Sequence, residues 1–257
     1  MKKPIIVANW KMNLVGLEAK NSTEKIKEQS QNLKNIDIVL CPSFLDMEAI
    51  AKILENQKDS NLFLGAQDCF WKLKGNFTSG ISPAYLKDIG CDYVILGNSE
   101  RRKYFQETDE MINQKVQASL LAGLTPIICV GETMEERKKG VKDYVVLGQI
   151  SSALKGVNLR AKQKIIIAYE PVWVIGSTQT IEPKEAIYMN KIIIQRMIDL
   201  YPLPLVNNNI RFIYGGSVNS NNLCSFFEKG LTDGFLIGKA SLETREFINM
   251  CGLINGQ

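Results

Sequence analysis

Eight short apolar runs recur along the chain, and they constrain its fold more than any other feature. Longer stretches with charged and apolar residues at helical spacing, such as Leu17–Leu33 and Glu185–Leu200, separate the runs. This alternation predicts repeated βα units and a parallel sheet, and eight units is the number that closes a barrel. An open doubly wound sheet fits the same alternation. The runs are Ile5–Ala8, Ile38–Cys41, Leu62–Ala66, Tyr93–Leu96, Pro126–Val130, Ile165–Ala168, Ile210–Tyr214 and Gly234–Ile237.

Composition and charge narrow the class of protein. The 257 residues are 45% apolar, a length that suits one barrel as well as two small domains. Because no linker or low-complexity stretch interrupts them, we expect a single α/β domain over residues 1–257. The net charge of +4 is mild, and no basic block flanked by aromatic residues indicates a nucleic-acid groove. The first apolar run is too short for a secretion signal or a membrane span, so we expect a cytoplasmic protein without a membrane partner.

The cysteines exclude one kind of metal site. Six are scattered without a Cys-x-x-Cys pair, and the chain contains no histidine. A Cys/His zinc site cannot form from this set. We therefore expect no bound metal, reduced thiols, and several cysteines in the core.

One stretch, Ile165–Gln179 (IIIAYEPVWVIGSTQ), ends a buried-looking apolar run in a single carboxylate, Glu170. Barrels of this class keep their catalytic groups just past the C-terminal ends of their strands, so Glu170 is a candidate base. After it, Pro171 and Trp173 stiffen one end of a segment that finishes in small and polar residues, a pattern typical of a hinged lid. An ordinary loop with a solvated glutamate fits the same sequence.

A second candidate group follows the first apolar run, where Asn9 and Lys11 lie in the letters NWK. A lysine at the C-terminal end of a barrel strand points into the mouth, where its charge would meet a phosphate and polarise a carbonyl oxygen. A surface lysine is the alternative, because that is the usual place of this residue type.

Four motifs resemble the triosephosphate isomerase family in order and across essentially the whole chain: ANWKMN, GNSERR, AYEPVWVIG and YGGSV. The resemblance implies a single (β/α)8 TIM barrel, no cofactor, a homodimer, and interconversion of dihydroxyacetone phosphate with glyceraldehyde 3-phosphate. It implies that Glu170 is the base and that Asn9 and Lys11 contact the phosphorylated triose. It also places Cys129 against the catalytic glutamate, in a packing role.

The charge run Met134–Lys139 is interpreted as a solvated helix face.

The chain departs from the family where GHSERR carries an electrophilic histidine, because that position is Asn98. A neutral imidazole both donates an N–H to the enediolate oxygen and passes a proton between the substrate oxygens, whereas an amide has no accessible pKa and can only donate. We therefore expect isomerase activity lowered by about 10²- to 10⁴-fold unless another group relays the proton. Glu100 is the candidate relay, and an ion pair of Glu100 with Arg101 or Arg102 is the alternative.

The resemblance also implies a phosphate cradle. Gly176 matches the lid glycine, and Gly216 and Ser217 belong to the loop after the seventh run. Gly238 belongs to the loop after the eighth, where the next family glycine is replaced by Lys239. This lysine could add a charge to the phosphate, or its Cβ could push the backbone away from it.

The stretch after the third run, Gln67–Ser82, is long for a loop and carries three aromatic residues, Phe70, Trp71 and Phe77. The resemblance implies that it inserts into the other subunit, with Thr78 at its tip supporting the catalytic asparagine and lysine there. A self-packed loop is the alternative. The family glutamate that pairs with the neighbour's arginine is Gly80 here, so Arg101 needs another partner.

Two classes of function remain in view. The first is the isomerase, favoured because the chain keeps Glu170 and Lys11. The second is a non-catalytic phosphate-binding barrel, since sites can decay on an intact fold. A deliberately inactivated variant would explain Asn98 alone. The departures that motivate the second reading are Asn98, Gly80, Thr178 and Lys239.

Overall fold

The fold is a closed barrel of eight parallel strands, in a computed structural model that describes residues 2–55, 61–175, 180–227 and 232–256. Each strand pairs with its neighbours in sequence, and the first pairs with the last through Ile5 and Gly234. The eight predicted runs are therefore confirmed as a barrel, and the open sheet is wrong. The strands are β1 (Ile5–Asn9), β2 (Asp37–Cys41), β3 (Leu62–Ala66), β4 (Cys91–Leu96), β5 (Thr125–Val130), β6 (Ile165–Tyr169), β7 (Ile210–Tyr214) and β8 (Gly234–Ile237).

Helices connect the strands and cover the outside of the barrel. The predicted helical stretches Leu17–Leu33 and Glu185–Leu200 are confirmed within a few residues. Short 3₁₀ helices cover Phe44–Asp46, Val172–Val174 and Lys239–Leu242. The α-helices are α1 (Gly16–Ser30), α2 (Met47–Leu54), α3 (Pro83–Asp88), α4 (Ser99–Tyr104), α5 (Asp109–Ala122), α6 (Met134–Lys138), α7 (Lys142–Ala153), α8 (Pro183–Leu200), α9 (Leu203–Asn209), α10 (Leu223–Phe226) and α11 (Thr244–Asn255).

Two apolar clusters explain why the strands read as continuous hydrophobic runs. One fills the barrel and the other lies between the strands and the helices, so every strand is buried on both faces. In β6, Ile166 and Ala168 belong to the inner cluster, whereas Ile165 and Ile167 belong to the outer one. Because strand side chains alternate between faces, the next residue in the inward row is Glu170. The fold thus directs this carboxylate into the barrel mouth.

The cysteines are free thiols, and five of the six are buried, as predicted. The exception is Cys224, which is exposed. No helix in the described ranges is both long and apolar enough to cross a membrane.

The charge run Met134–Lys139 forms α6, which has no buried residue, as expected of a solvated face. One member departs from that description. Arg137 reaches inward to pair with Glu185 at 2.5 Å and with the fully buried Glu132 at 3.4 Å. Its guanidinium also lies 4.8 Å from the ring centre of Trp173. The run therefore contributes one structural contact to the segment that follows β6.

Candidate active site

Glu170 follows β6 and is only 5% exposed. Its backbone N–H donates to the carbonyl of Val130 at 2.8 Å, which continues the β5–β6 pairing by one residue. Two glycines allow the neighbouring strand ends to lie close to Glu170. A Cβ on Gly131 would lie 1.8 Å from the Glu170 carbonyl oxygen, and one on Gly215 would lie 2.7 Å from its Cγ. The solvated-glutamate alternative is therefore wrong, since the carboxylate is enclosed by neighbouring strand ends.

Burial gives this carboxyl group the character of a base. Desolvation raises the pKa of Glu170 from 4.5 to about 7, against the opposing charge of Lys11 and with a smaller contribution from the negative charge of Glu100. A carboxylate with a pKa near neutrality can both accept a proton from carbon and return it. Glu170 is thus suited to general base catalysis near neutral pH.

Asn98 forms direct hydrogen bonds with this base. Its Nδ2 donates to both carboxylate oxygens of Glu170 at 3.0 Å. The orientation of the amide is fixed from its other side, because Oδ1 accepts the backbone N–H of Glu100 at 3.1 Å and so caps the N-terminus of α4. A residue at this position therefore needs one acceptor toward the helix and one donor toward the site.

Lys11 is held in an unusual backbone conformation. Its φ of +54° lies in the left-handed region, which is unfavourable for a residue with a side chain. Asn9 accepts its backbone N–H at 3.2 Å, and Gln67 donates to its carbonyl at 2.9 Å. These contacts on both sides of the residue fix the direction in which the lysine leaves the strand end.

The ammonium of Lys11 forms an ion pair with Glu100. Both side chains are about one-third exposed, at 31% and 35%. The alternative in which Glu100 pairs with Arg101 or Arg102 is wrong, since Arg101 pairs with Glu107, and Arg102 donates to the carbonyl of Gly97 and pairs with an acidic residue of α5. Glu100 is therefore in the same hydrogen-bonded group as the other candidate catalytic residues.

The candidate phosphate-binding residues that the structure describes lie at the same end of the barrel. A Cβ on Gly238 would lie 3.7 Å from Nζ of Lys11, so the loop after β8 borders that ammonium. Gly216 has no room for a side chain, because a Cβ there would lie 1.9 Å from the hydroxyl of Tyr214. Lys239 is exposed in the short 3₁₀ helix after β8.

Ser217 and Gly176 are the two remaining candidates for phosphate binding. Ser217 is half-buried in the loop after β7, where its carbonyl accepts Nδ2 of Asn222 at 3.2 Å. Gly176 and Thr178 lie outside the described residues. The described structure thus places Gly238 next to the catalytic group and Ser217 in the neighbouring loop.

Glu132 is a residue that sequence reasoning missed. It is fully buried and accepts hydrogen bonds from Nε1 of Trp173 at 3.0 Å and from the hydroxyl of Tyr169 at 3.1 Å. Its carbonyl also accepts the N–H of Val172. The start of the segment after Glu170 is therefore tied to the loop after β5. The available signal was an acidic residue just past a barrel strand, the criterion that identified Glu170.

Cys129 lies beside the carboxylate, as the resemblance implied. Complete burial raises the pKa of its thiol well above the ordinary value, and the charge of Glu170 raises it further. The thiol therefore stays protonated and donates toward Glu170. Cys129 packs against the base and is not a nucleophile.

In the described part of the chain, the tip of the β3–α3 loop shares no hydrogen bond or ion pair with this group. Phe70 stacks on Trp71 at 4.0 Å and contacts Phe77 at 4.7 Å, so the aromatic residues pack partly on one another. Phe77 is still 44% exposed, and Thr78 is exposed beside it. Within its own chain, this tip supports none of the catalytic residues described above.

Arg101 finds its partners within the chain. It pairs with Asp68 at 3.0 Å and Glu107 at 2.5 Å, and Lys115 bridges the same two carboxylates. The arginine is therefore satisfied without the loop glutamate that Gly80 replaces.

Comparison with known proteins agrees with the geometry. The profile of a family described as triosephosphate isomerase matches residues 4–254. The chain is 41% identical over 250 residues to the triosephosphate isomerase of Dictyoglomus thermophilum, covering 97% of this chain and 99% of that protein. It is 42% identical over 247 residues to that of Caldanaerobacter subterraneus, and 40% identical over 256 residues to that of Lactobacillus delbrueckii, with 98% and 99% of those proteins covered.

Proposed function

The chain belongs to the triosephosphate isomerase family, and from this premise we propose that it interconverts dihydroxyacetone phosphate and D-glyceraldehyde 3-phosphate through an enediolate. The observation that carries the proposal is the buried carboxylate of Glu170, whose pKa is raised to about 7 at the barrel mouth beside Lys11 and Asn98. A base of this strength is what abstraction of a carbon-bound proton beside a carbonyl requires.

Each neighbouring group has a role in this reaction. Glu170 removes the proton from carbon, and the ammonium of Lys11 stabilises the negative charge that develops on oxygen. Asn98 donates an N–H to the same oxygen. Its amide lies at hydrogen-bond distance from the base, and a substrate that reacts with the base would lie beside both groups. The side-chain oxygen of Asn9 positions Lys11 by accepting its backbone N–H. No cofactor enters this scheme, because proton transfers and electrostatic stabilisation complete it.

Asn98 makes the enzyme slower than its relatives in this proposal. The amide cannot give a proton to one substrate oxygen and take it from the other, and general acid–base groups are generally worth about 10² to 10⁴ in rate. Glu100 takes over this relay only in part and less efficiently than an imidazole; its place in the site follows from its ion pair with Lys11 and from its position on the helix that Asn98 caps.

Phosphate is bound by the loops after β6, β7 and β8. We assign this role to Gly176, Gly216, Ser217, Gly238 and Lys239. The position of Gly238 beside Lys11 supports the assignment, because an anion there would lie next to the ammonium.

We further propose a homodimer. Large apolar side chains are exposed on the segments that connect β1 to β5, which is unusual for a monomer and supports an interface there. Thr78 would then reach the partner's site from the tip of the β3–α3 loop. Sedimentation of the protein beside its Phe77→Asp variant tests this assignment. The exposed side chains are Met12, Leu45, Phe77, Tyr85 and Phe105.

The decisive experiment measures glyceraldehyde 3-phosphate isomerisation by this chain and by its Asn98→His variant at equal protein concentration. A neutral imidazole has one acceptor nitrogen and one N–H donor, so it can cap α4 and face the site as Asn98 does. We expect a gain of about two orders of magnitude or more. No turnover by either protein would contradict the proposed activity.

A non-catalytic phosphate-binding barrel is the second candidate, favoured by the replacement of the relay histidine by Asn98. The two functions differ in whether the carbon-bound proton of dihydroxyacetone phosphate exchanges with solvent deuterium. The isomerase exchanges it through Glu170 even when the overall turnover is slow, and a pure binding protein does not.

A further inference from the structure

A second polar cavity lies at the opposite end of the barrel, where the strands begin. Its volume is about 180 Å³, and three of the residues that line it are basic: Lys2, Lys164 and Arg211. No acidic residue is among the described residues that line it. Hydroxyl and amide groups complete the wall, from Tyr93, Thr125 and Asn209.

The strand pattern explains why these side chains converge. Lys164 is two residues before Ile166, and Arg211 is two before Ile213. Both isoleucines belong to the cluster that fills the barrel, and strand side chains alternate, so the two basic residues fall in the inward-facing rows. Tyr93 belongs to the same cluster. Lys164 thus precedes the inward-facing row of β6 at its N-terminal end, and Glu170 follows that row at the mouth.

Two of the cations are fixed in place. Nη2 of Arg211 donates to Asp37 at 2.8 Å. Nζ of Lys2 donates to the backbone carbonyls of Val206 at 3.2 Å and of Ile210. The charges are therefore held at the cavity wall by groups that do not fill the cavity.

Positive charge exceeds negative charge around this cavity. Asp37 is shared between Arg211 and Lys3, which lies 3.1 Å away. Asp233 is 3.9 Å from Lys2. Lys164 is exposed, and the structure gives it no ion pair within the described part of the chain.

Burial lowers the pKa of Lys2, the negative charge of Asp233 opposes this effect, and the positive charge of Arg211 lowers the pKa by a smaller amount. An anion placed among these groups would offset both the desolvation and the repulsion.

We propose that this cavity is an oxyanion site that binds a free phosphate-sized ion, separate from the phosphate cradle at the mouth. Lysine and arginine side chains with hydroxyl and amide donors are the groups that bind phosphate oxygens. The volume is below the roughly 300 to 1,000 Å³ typical of pockets for larger ligands, so the cavity excludes nucleotides and sugar phosphates with bulky groups.

Residue-resolved NMR tests the proposal and separates the two ends of the barrel. Inorganic phosphate is titrated into the isotope-labelled protein, with the amide signals of Thr125 and Asn209 reporting on the cavity and that of Ser217 on the mouth. We expect saturable shifts at Thr125 and Asn209 with millimolar phosphate. In the Lys164→Gln variant, the dissociation constant at the cavity should rise about tenfold, because a hydrogen bond from a charged donor is worth at least that factor, while the signal at the mouth is unchanged.

The matched control is Lys162→Gln, which removes another exposed lysine that does not line the cavity. It should leave both dissociation constants unchanged. A parallel titration with AMP should shift neither Thr125 nor Asn209. The proposal is overturned by the absence of phosphate-dependent shifts at these two residues, by equal effects of the two lysine variants, or by AMP binding to the cavity as strongly as phosphate.

Discussion

The side-chain nitrogen of Asn98 lies 3.0 Å from each carboxylate oxygen of Glu170. The amide N–H donor proposed to serve a substrate oxygen therefore also stabilises the ionised form of the base. Burial acts in the opposite direction and dominates, because the pKa of Glu170 is raised to about 7. The balance of these effects makes the site sensitive to pH.

The first prediction concerns the pH dependence of catalysis. Glu170 acts as a base only when it is ionised, and its raised pKa means that protonation begins at a higher pH than for an ordinary carboxyl group. The kcat/KM for glyceraldehyde 3-phosphate should be high above pH 7 and fall as pH decreases, with a midpoint near 7. The profile is measured between pH 5 and 9. A midpoint near 4.5 would contradict the enclosed position of this carboxylate.

The second prediction isolates the effect of Asn98 on the base. Asn98→Ala removes the two hydrogen bonds that this amide donates to the Glu170 carboxylate, so the pKa of Glu170 and the midpoint of the pH profile should rise. The variant also loses the cap of α4, which should lower the free energy of unfolding by about 0.5–2 kcal/mol.

Thr108→Ala is the matched control for the lost cap. Thr108 caps α5 by accepting the N–H of Met111 at 3.3 Å and is outside the catalytic group. Its replacement should destabilise the protein by a similar amount without moving the pH midpoint. Equal shifts of the midpoint in both variants would mean that the effect comes from helix stability.

The third prediction tests the relay. If Glu100 passes the proton between substrate oxygens, Glu100→Gln should lower kcat by at least about tenfold in the chain with Asn98. The same change should cost less in the Asn98→His background, because the imidazole then supplies the relay. A double-mutant cycle measures this coupling. Equal losses of kcat in both backgrounds would mean that Glu100 only positions Lys11 and does not relay the proton.

Much of the fold followed from the sequence because a strand buried on both faces is written as an unbroken apolar run. Glu170 and Lys11 were identifiable because each follows such a run, and Asn98 because it occupies the position of the family's histidine. The pair of Lys11 with Glu100 was not, since the two residues are 89 positions apart and meet only when the barrel closes. Glu132 was missed for another reason: an acidic residue is usually exposed, and its burial depends on partners in three separate segments.

The fourth prediction concerns the buried ion-pair cluster beneath the β3–α3 loop. Nζ of Lys115 donates to Asp68 at 2.7 Å and to Glu107, and its side chain is only 3% exposed. Lys115→Met leaves the two carboxylates facing Arg101 alone, which should reduce the free energy of unfolding by about 3–5 kcal/mol. The matched control is Lys87→Met, which breaks the exposed pair with Asp92 and should cost at most about 1 kcal/mol.

The position of Asp68 in this cluster predicts how the stability lost in Lys115→Met depends on pH. Burial raises the pKa of Asp68 to about 6, against the opposing charge of Lys115. Removing that charge raises the pKa further, so Asp68 in Lys115→Met is largely protonated at pH 5 and no longer needs a cation. Urea unfolding at fixed protein concentration should therefore show a larger deficit for Lys115→Met at pH 8 than at pH 5, whereas the small deficit of Lys87→Met stays constant. A deficit for Lys115→Met that is equal at both pH values would show that Asp68 remains charged without its partner, and that Arg101 alone is enough to hold both carboxylates.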